Sequence, residues 1–162
     1  MHWLVQQGHS VTGIELVETA VEAFFSEAKK TPTVESLGEI KQYKEGKTTL
    51  LQGDVMAVRP TMVSSGAWYD RAALIALPST MRPAYVKQIR ALCQPGSTGL
   101  MITFSYPQNE MQGPPFSLPD EEVLRLFEPE FEVELLERIA LEDEKQRGLT
   151  SVHSAVYKLT RT

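Results

Sequence analysis

An α/β sheet, mostly parallel with an antiparallel edge, is what this sequence predicts, and three observations carry that expectation. Strand-like and helix-like patterns alternate along most of the chain, the signature of helices packed on a sheet. The stretch Gly99 to Ser105 is apolar almost throughout, as a parallel strand covered on both faces should be. Two further strand patterns, Phe131 to Ile139 and Val152 to Leu159, close the chain across the acidic connection Glu142-Asp143-Glu144, which makes them an antiparallel pair.

The elements follow in order. Met1 to Gly8 reads as the last turns of a helix closed by glycine, with no N-cap residue before it. Val11 to Leu16 alternates β-formers and ends in an acid, as a short buried strand would. Val17, Ala20, Val21, Phe24 and Phe25 then recur at helical spacing, Lys29 and Lys30 suit the helix C-terminus, and Pro32 stops it. Ile40 to Tyr43 and Thr48 to Gln52 flank Lys44-Glu45-Gly46-Lys47, a hairpin signal with a glycine able to take positive φ. The second of these strands continues into Gly53-Asp54, and a loop without period runs from Val55 to Gly66. Ala67 to Asp70 is a short strand, followed by the apolar run Ala72 to Leu77, which Pro78 cuts. Met81 to Leu92 is a helix with Pro83 in its first turn, and Gln94 to Ser97 is a turn. After the strand ending at Ser105 comes a proline-rich loop, Tyr106 to Leu118. The helix Pro119 to Phe127 then begins with three acids at its positive end.

The 162 residues predict one domain, spanning 1–162, large enough to bury a core without a disulfide or metal. With 42% hydrophobic and 23% charged residues the composition excludes a disordered or fibrous chain. No apolar run approaches a membrane span, and the N-terminus lacks a signal-peptide pattern, so a cytoplasmic protein is expected. Twenty-one acidic against 16 basic residues give a net charge of -5 without a Lys/Arg cluster. That leaves no electrostatic footprint for nucleic acid or an anionic membrane, and points to a small-molecule ligand. The single Cys93 excludes an internal disulfide and every multi-cysteine zinc pattern, and reads as a buried, inert thiol. His2, His9 and His153 have no ligand spacing, so no metal site is expected.

Ligands of open α/β sheets sit outside the carboxyl ends of the strands. Four ends are legible: Glu15, Asp54, Asp70-Arg71 and Ser105-Tyr106. An acid ending a strand before a helix either accepts hydrogen bonds from a ribose or solvates the helix start, and Glu15 fits both descriptions. Asp54, after Gly53, fits an Asx-turn leaving its strand. Asp70-Arg71 places an acid and a guanidinium beside an apolar run, which suggests a pocket or a structural ion pair.

Several of these stretches together resemble the thiopurine S-methyltransferase family, its bacterial branch above all. They are Trp3 to Leu16, then Tyr69-Asp70-Arg71-Ala72-Ala73-Leu74-Ile75-Ala76-Leu77, then Ser105-Tyr106-Pro107, and Gly113-Pro114-Pro115-Phe116, in matching order. The resemblance implies a class I, Rossmann-like methyltransferase sheet with S-adenosyl-L-methionine as cofactor, acting on thiopurines, other aromatic thiols, or selenium and tellurium species. It implies that Glu15 holds the cofactor ribose, that Asp54 and Val55 lie beside the adenine, and that Arg71 of the Asp70-Arg71 motif stands near cofactor and substrate as the catalytic pair. Tyr106, Pro114 and Pro115 match the loop that covers the substrate. Methyl transfer from a sulfonium to a thiolate mainly requires two aligned ligands and exclusion of water, so no catalytic His or Cys is demanded.

The family's first strand and its glycine-containing cofactor loop would precede Met1. In the family sheet that strand is central, so two neighbours would be left unpaired on one side. Either the chain is an incomplete version of a longer protein, or it fills the gap by self-association with another copy. The competing expectation is therefore a non-catalytic or assembly-dependent remnant that retains only the adenosine half of the site. Between Glu142 and Gly148, where family members often carry a substrate-facing arginine, this chain has a shortened acidic segment with Lys145 and Arg147.

Overall fold

The computed structural model describes residues 1–142 and 148–162; Lys145 and Arg147 lie outside the described residues. The chain divides into two compact units, Met1–Val63 and Ser64–Thr162.

The first unit runs α1 (His2–Gln6), β1 (Val11–Glu15), α2 (Glu18–Glu27), β2 (Thr33–Leu37), β3 (Ile40–Glu45) and β4 (Thr48–Gln52). Gly8, at φ +95°, closes α1 as expected, its N–H donating to Val5 O at 3.0 Å. The sheet order is β1-β4-β3-β2, with β1 and β4 parallel and the remaining pairs antiparallel. Gly46 turns the β3–β4 hairpin at φ +56°, the positive value its position demands. The helical spacing of the apolar residues puts Val21 and Phe25 of α2 on one face, and they pack with Tyr43 and Leu50 into the core of this unit.

The second unit contains β5 (Ser65–Asp70), α3 (Ala73–Ala76), α4 (Arg82–Leu92), β6 (Cys93–Ser105), α5 (Asp120–Phe127), β7 (Phe131–Ala140) and β8 (His153–Arg161). Its sheet order is β5-β6-β8-β7, parallel between β5 and β6 and antiparallel elsewhere. Val123, Leu126 and Phe127 are the buried face of α5, and the Phe127 ring meets Phe131 and Trp68 in an aromatic cluster. Trp68 lies so close to β6 that a Cβ on Gly99 would come within 2.0 Å of its ring, which is why a glycine occupies that strand position.

The α/β class stands, with three differences in detail. Of the six strand pairings among the described residues only β1–β4 and β5–β6 are parallel, so the sheets are mixed where a mostly parallel sheet is expected. Short turns joining β2 to β3 and β3 to β4 admit only antiparallel neighbours. Second, β2 is added where only a stop after Pro32 is expected. Its side chains are almost all exposed, so it carries no hydrophobic period to read. Third, the expected turn at Gln94 to Ser97 lies inside the span of β6. Pairing with β5 jumps from Ser65–Cys93 to Ala67–Thr98, and the turn residues bulge out between the two pairs. Among the described residues β1 and β5 each have a single hydrogen-bonded neighbour strand, and no helix is long and apolar enough to cross a membrane.

Candidate active site

In the first unit the parallel pair brings two carboxylates together. Glu15 at the end of β1 is in register with Gln52, and β4 continues through Gly53, whose N–H donates to Glu15 O at 2.9 Å. Gly53 sits at φ +144°, and a Cβ there would lie 2.6 Å from Ile40 Cδ1 and 3.1 Å from Glu39 O, so backbone conformation and packing both favour glycine at this strand end. Glu15 and Asp54 therefore leave adjacent strand ends within one bend of each other. Glu15 is half-buried, and its Oε1 accepts the Val17 N–H at 2.8 Å, which serves the start of α2. Its Oε2 carries no hydrogen bond among the described residues. Asp54 is exposed, and its Oδ1 accepts the Met56 N–H at 2.9 Å, capping the short 3₁₀ turn Val55–Ala57. Val55, half-buried, follows directly. An acceptor oxygen at a strand end, a second carboxylate beside it and an adjacent apolar side chain fit the ribose and adenine of an adenosine-bearing cofactor.

In the second unit the acid and guanidinium expected as a pair diverge. Asp70 is buried, 5% exposed, while Arg71 is exposed and makes no ion pair among the described residues. Alternation along the strand end sends successive side chains to opposite sides. Asp70 Oδ1 accepts the N–H groups of Ala72 at 3.1 Å and Ala73 at 2.9 Å; Oδ2 accepts the Leu74 N–H at 3.2 Å and the Tyr85 hydroxyl at 3.0 Å. Burial pushes the Asp70 carboxyl up, against the pull of the Tyr85 hydroxyl and the three N–H groups. Burial, with the Asp70 charge beside it, also pushes the Tyr85 hydroxyl up, so Tyr85 stays a phenol and donates. All four contacts are structural, which makes Asp70 a holder of α3 rather than the partner of Arg71.

The loop after β6 is pinned from within. Tyr106 is buried, and its hydroxyl donates to Pro115 O at 2.7 Å. The Ser117 hydroxyl donates to Tyr106 O at 2.7 Å and accepts the Tyr106 N–H at 3.0 Å. Phe116 N–H donates to Ile75 O of α3 at 2.7 Å. Pro114 and Pro115, both preceded by cis peptide bonds, are exposed on the outside of the loop. Beneath it a cavity of about 710 Å³ is lined by Arg82, Ser105, Tyr106, Phe116, Ser117 and His153 among others, and by neither proline. Among the described residues no group of three or more His, Cys, Asp or Glu is placed to hold a metal ion.

The profile of the thiopurine S-methyltransferase (TPMT) family matches residues 1–162, the whole chain. This chain belongs to the thiopurine S-methyltransferase family. A thiopurine S-methyltransferase of Shewanella piezotolerans is 40% identical over 172 residues, covering 99% of this chain and 76% of that protein. One from Pseudomonas aeruginosa is 42% identical over 164 residues, covering 98% of this chain and 75% of that protein. Among solved structures, a SAM-dependent methyltransferase from Methanosarcina mazei superposes with a TM-score of 0.69 at 14% identity, over 98% of this chain and 84% of that one. An arsenic(III) S-adenosylmethionine methyltransferase from Chlamydomonas reinhardtii gives 0.65 at 16% identity, over 94% of this chain and 56% of that one. At such identities the structures establish the class I methyltransferase fold. S-adenosylmethionine is the cofactor of this family of methyltransferases.

Three residues of this methyltransferase's second unit escape a sequence reading. Arg82 is 1% exposed; its Nε donates to Leu77 O at 3.0 Å, and its Nη1 to Ser117 O at 3.1 Å and to Glu122 Oε2 at 2.8 Å. It thereby ties α4 to the loop Tyr106 to Leu118 and to α5. The spacing of Arg82, Tyr85, Val86 and Ile89 places the arginine on the apolar face of α4, a signal present in the pattern. Nothing in the sequence pairs Tyr85 with Asp70 or Ser117 with Tyr106. Cys93 is buried as expected, and burial raises its thiol.

Proposed function

We propose that the protein transfers a methyl group from S-adenosylmethionine to the sulfur of an aromatic thiol or thiopurine, or to a selenium or tellurium nucleophile of the same soft character, in the cytoplasm. The observation that carries this reading is the parallel pairing of β1 with β4, which brings Glu15 and Asp54 to adjacent strand ends, with Gly53 packed against Ile40 and Glu39 just before Asp54. In this reading Glu15 holds the ribose hydroxyls through Oε2, and Asp54 and Val55 border the adenine. Arg71, exposed and without an ion-pair partner among the described residues, is the guanidinium this reading assigns to the methyl-transfer step. Asp70 positions it by anchoring α3. Tyr106, Pro114 and Pro115 form the cover over the acceptor, and the cavity beneath gives the acceptor its space.

When bound, the cofactor supplies an electrophilic methyl on a sulfonium. The acceptor would react as a thiolate, its proton already lost to solvent; its sulfur would form the new S–C bond as the sulfonium–methyl bond breaks, with that bond's electron pair staying on the departing thioether. The chain's residues need only align the two sulfurs and exclude water. The 1–162 span acts as one methyltransferase-like domain in this reading.

A second reading has its own observation. Among the described residues the strands β1 and β5 each have one hydrogen-bonded neighbour, and an unpaired strand edge is of the kind that recruits another chain. On that reading the chain is an assembly-dependent or non-catalytic remnant which self-associates and keeps only part of the cofactor site. Titration with S-adenosylhomocysteine, followed by light scattering of the same sample, separates the two. Micromolar binding by a monomer supports the enzyme, and absent binding by the monomer with assembly supports the remnant.

A further inference from the structure

We propose that Tyr85 is a positioning residue for the acceptor-covering loop, acting through Asp70 and α3. The inference rests on the reading that the loop Tyr106 to Leu118 covers the acceptor. Helix α3 has four residues, far too few to persist on its own hydrogen bonds. Three backbone N–H groups at its start, those of Ala72, Ala73 and Leu74, are instead held by the one carboxylate of Asp70. That carboxylate is buried, and its Oδ2 has the Tyr85 hydroxyl as its closest donor, at 3.0 Å, against 3.2 Å for the Leu74 N–H. Tyr85 comes from α4, so the phenol fixes the carboxylate from outside the segment that the carboxylate organises. From α3 the connection continues to the loop. Ile75 O accepts the Phe116 N–H at 2.7 Å, next to Pro115, whose own carbonyl accepts the Tyr106 hydroxyl.

The loop has a second attachment that owes nothing to α3. Leu118 N–H donates to Phe104 O of β6 at 2.9 Å, and Ser117 closes its pair of bonds with Tyr106. Removing the phenol oxygen leaves Asp70 Oδ2 short of a donor in a buried place, which loosens the start of α3 and with it Ile75 O. Phe116 should then loosen while Leu118 stays held.

Tyr85→Phe in the full chain, read by amide hydrogen exchange, tests this. The amides of Ala73, Leu74 and Phe116 should exchange roughly tenfold faster, the scale of one lost buried hydrogen bond, while Leu118 and the β6–β8 ladder keep their rates. Asp70→Asn should move the same amides further. Thiophenol, used as an acceptor probe, should bind several-fold more weakly to both variants. Unchanged Phe116 exchange in Tyr85→Phe overturns the proposal. A uniform rise that includes Leu118 and β8 overturns it equally, since Tyr85 would then be only a core side chain. Faster Phe116 exchange with unchanged thiophenol affinity upholds the positioning chain and overturns the placement of the loop over the acceptor.

Discussion

Arg82→Ala is the substitution whose consequence the second unit states most fully. The guanidinium is 1% exposed and makes three hydrogen bonds, to Leu77 O, Ser117 O and Glu122 Oε2. Truncation leaves two carbonyls and one carboxylate without this donor. Breaking a buried ion pair by removing one partner destabilises by about 3 to 5 kcal/mol. The lower end applies here, because the Glu122 side chain is 17% exposed and keeps a second arginine, Arg125, at 3.5 Å. A loss of about 3 kcal/mol corresponds to a fall in Tm of roughly 6 to 12 °C for a chain of this size. Urea unfolding with a shared slope gives the number directly, provided the Arg125→Ala control is run beside it. Arg125 is 62% exposed, so its loss should stay within about 0.5 kcal/mol although it touches the same carboxylate. The double variant Arg82→Met, Glu122→Leu should recover much of the loss, since no charge is then left buried alone. A loss below about 1 kcal/mol for Arg82→Ala, or one matched by Arg125→Ala, would refute the assignment of Arg82 as the buried tie between α4, α5 and the loop.

Three more outcomes follow from the same geometry. Glu15→Ala should weaken S-adenosylhomocysteine by about 2 to 4 kcal/mol in isothermal titration, the worth of two hydrogen bonds to an ionised acceptor; unchanged affinity would leave Glu15 only as the acceptor for the start of α2. Arg71→Lys should lower turnover and leave the melting temperature nearly unchanged, because Arg71 is exposed and unpaired among the described residues while Lys lacks the planar fork. The Lys41 ammonium, the largest cause, and the Tyr43 hydroxyl hold the Glu18 carboxyl below the usual range. Its folded pKa lies under its unfolded one, so its contribution is complete above the unfolded value and is lost as pH falls through the folded value. Glu18→Gln should flatten the acid limb of a stability–pH curve, and an unaltered limb would count against the contact.

What the sequence discloses and what it withholds divide along a physical line. Positions governed by local periodicity or turn chemistry were legible. Examples are Gly46 in its hairpin, the buried face of α2, the three acids opening α5, and Glu15 at a strand end before a helix. Strand β2 was not, because exposure on both faces removes the alternation that marks a strand. The balance of parallel and antiparallel pairs is hidden from the sequence for a related reason. An apolar run reports burial on two faces and says nothing about the direction of the neighbour, and β6 in fact has one neighbour of each kind.

The site shows the same division one level up. Asp70-Arg71 reads as a charged pair because the letters are adjacent, yet adjacency in an extended chain is what separates two side chains. The partner that Asp70 does have, Tyr85, stands 15 residues away on the next long helix, at a distance set by how α4 packs rather than by any spacing. Ser117 and Tyr106 meet across 11 residues of loop for a like reason. The residues that a family resemblance marks out, Glu15, Asp54, Arg71 and the prolines, are half-buried or exposed. Those that only the structure reveals, Tyr85, Arg82 and Ser117, form a lower, buried layer of the second unit that fixes α3, α5 and the loop Tyr106 to Leu118. Substitutions in that lower layer should therefore change how firmly α3 and the loop are held before they change what the exposed residues can bind.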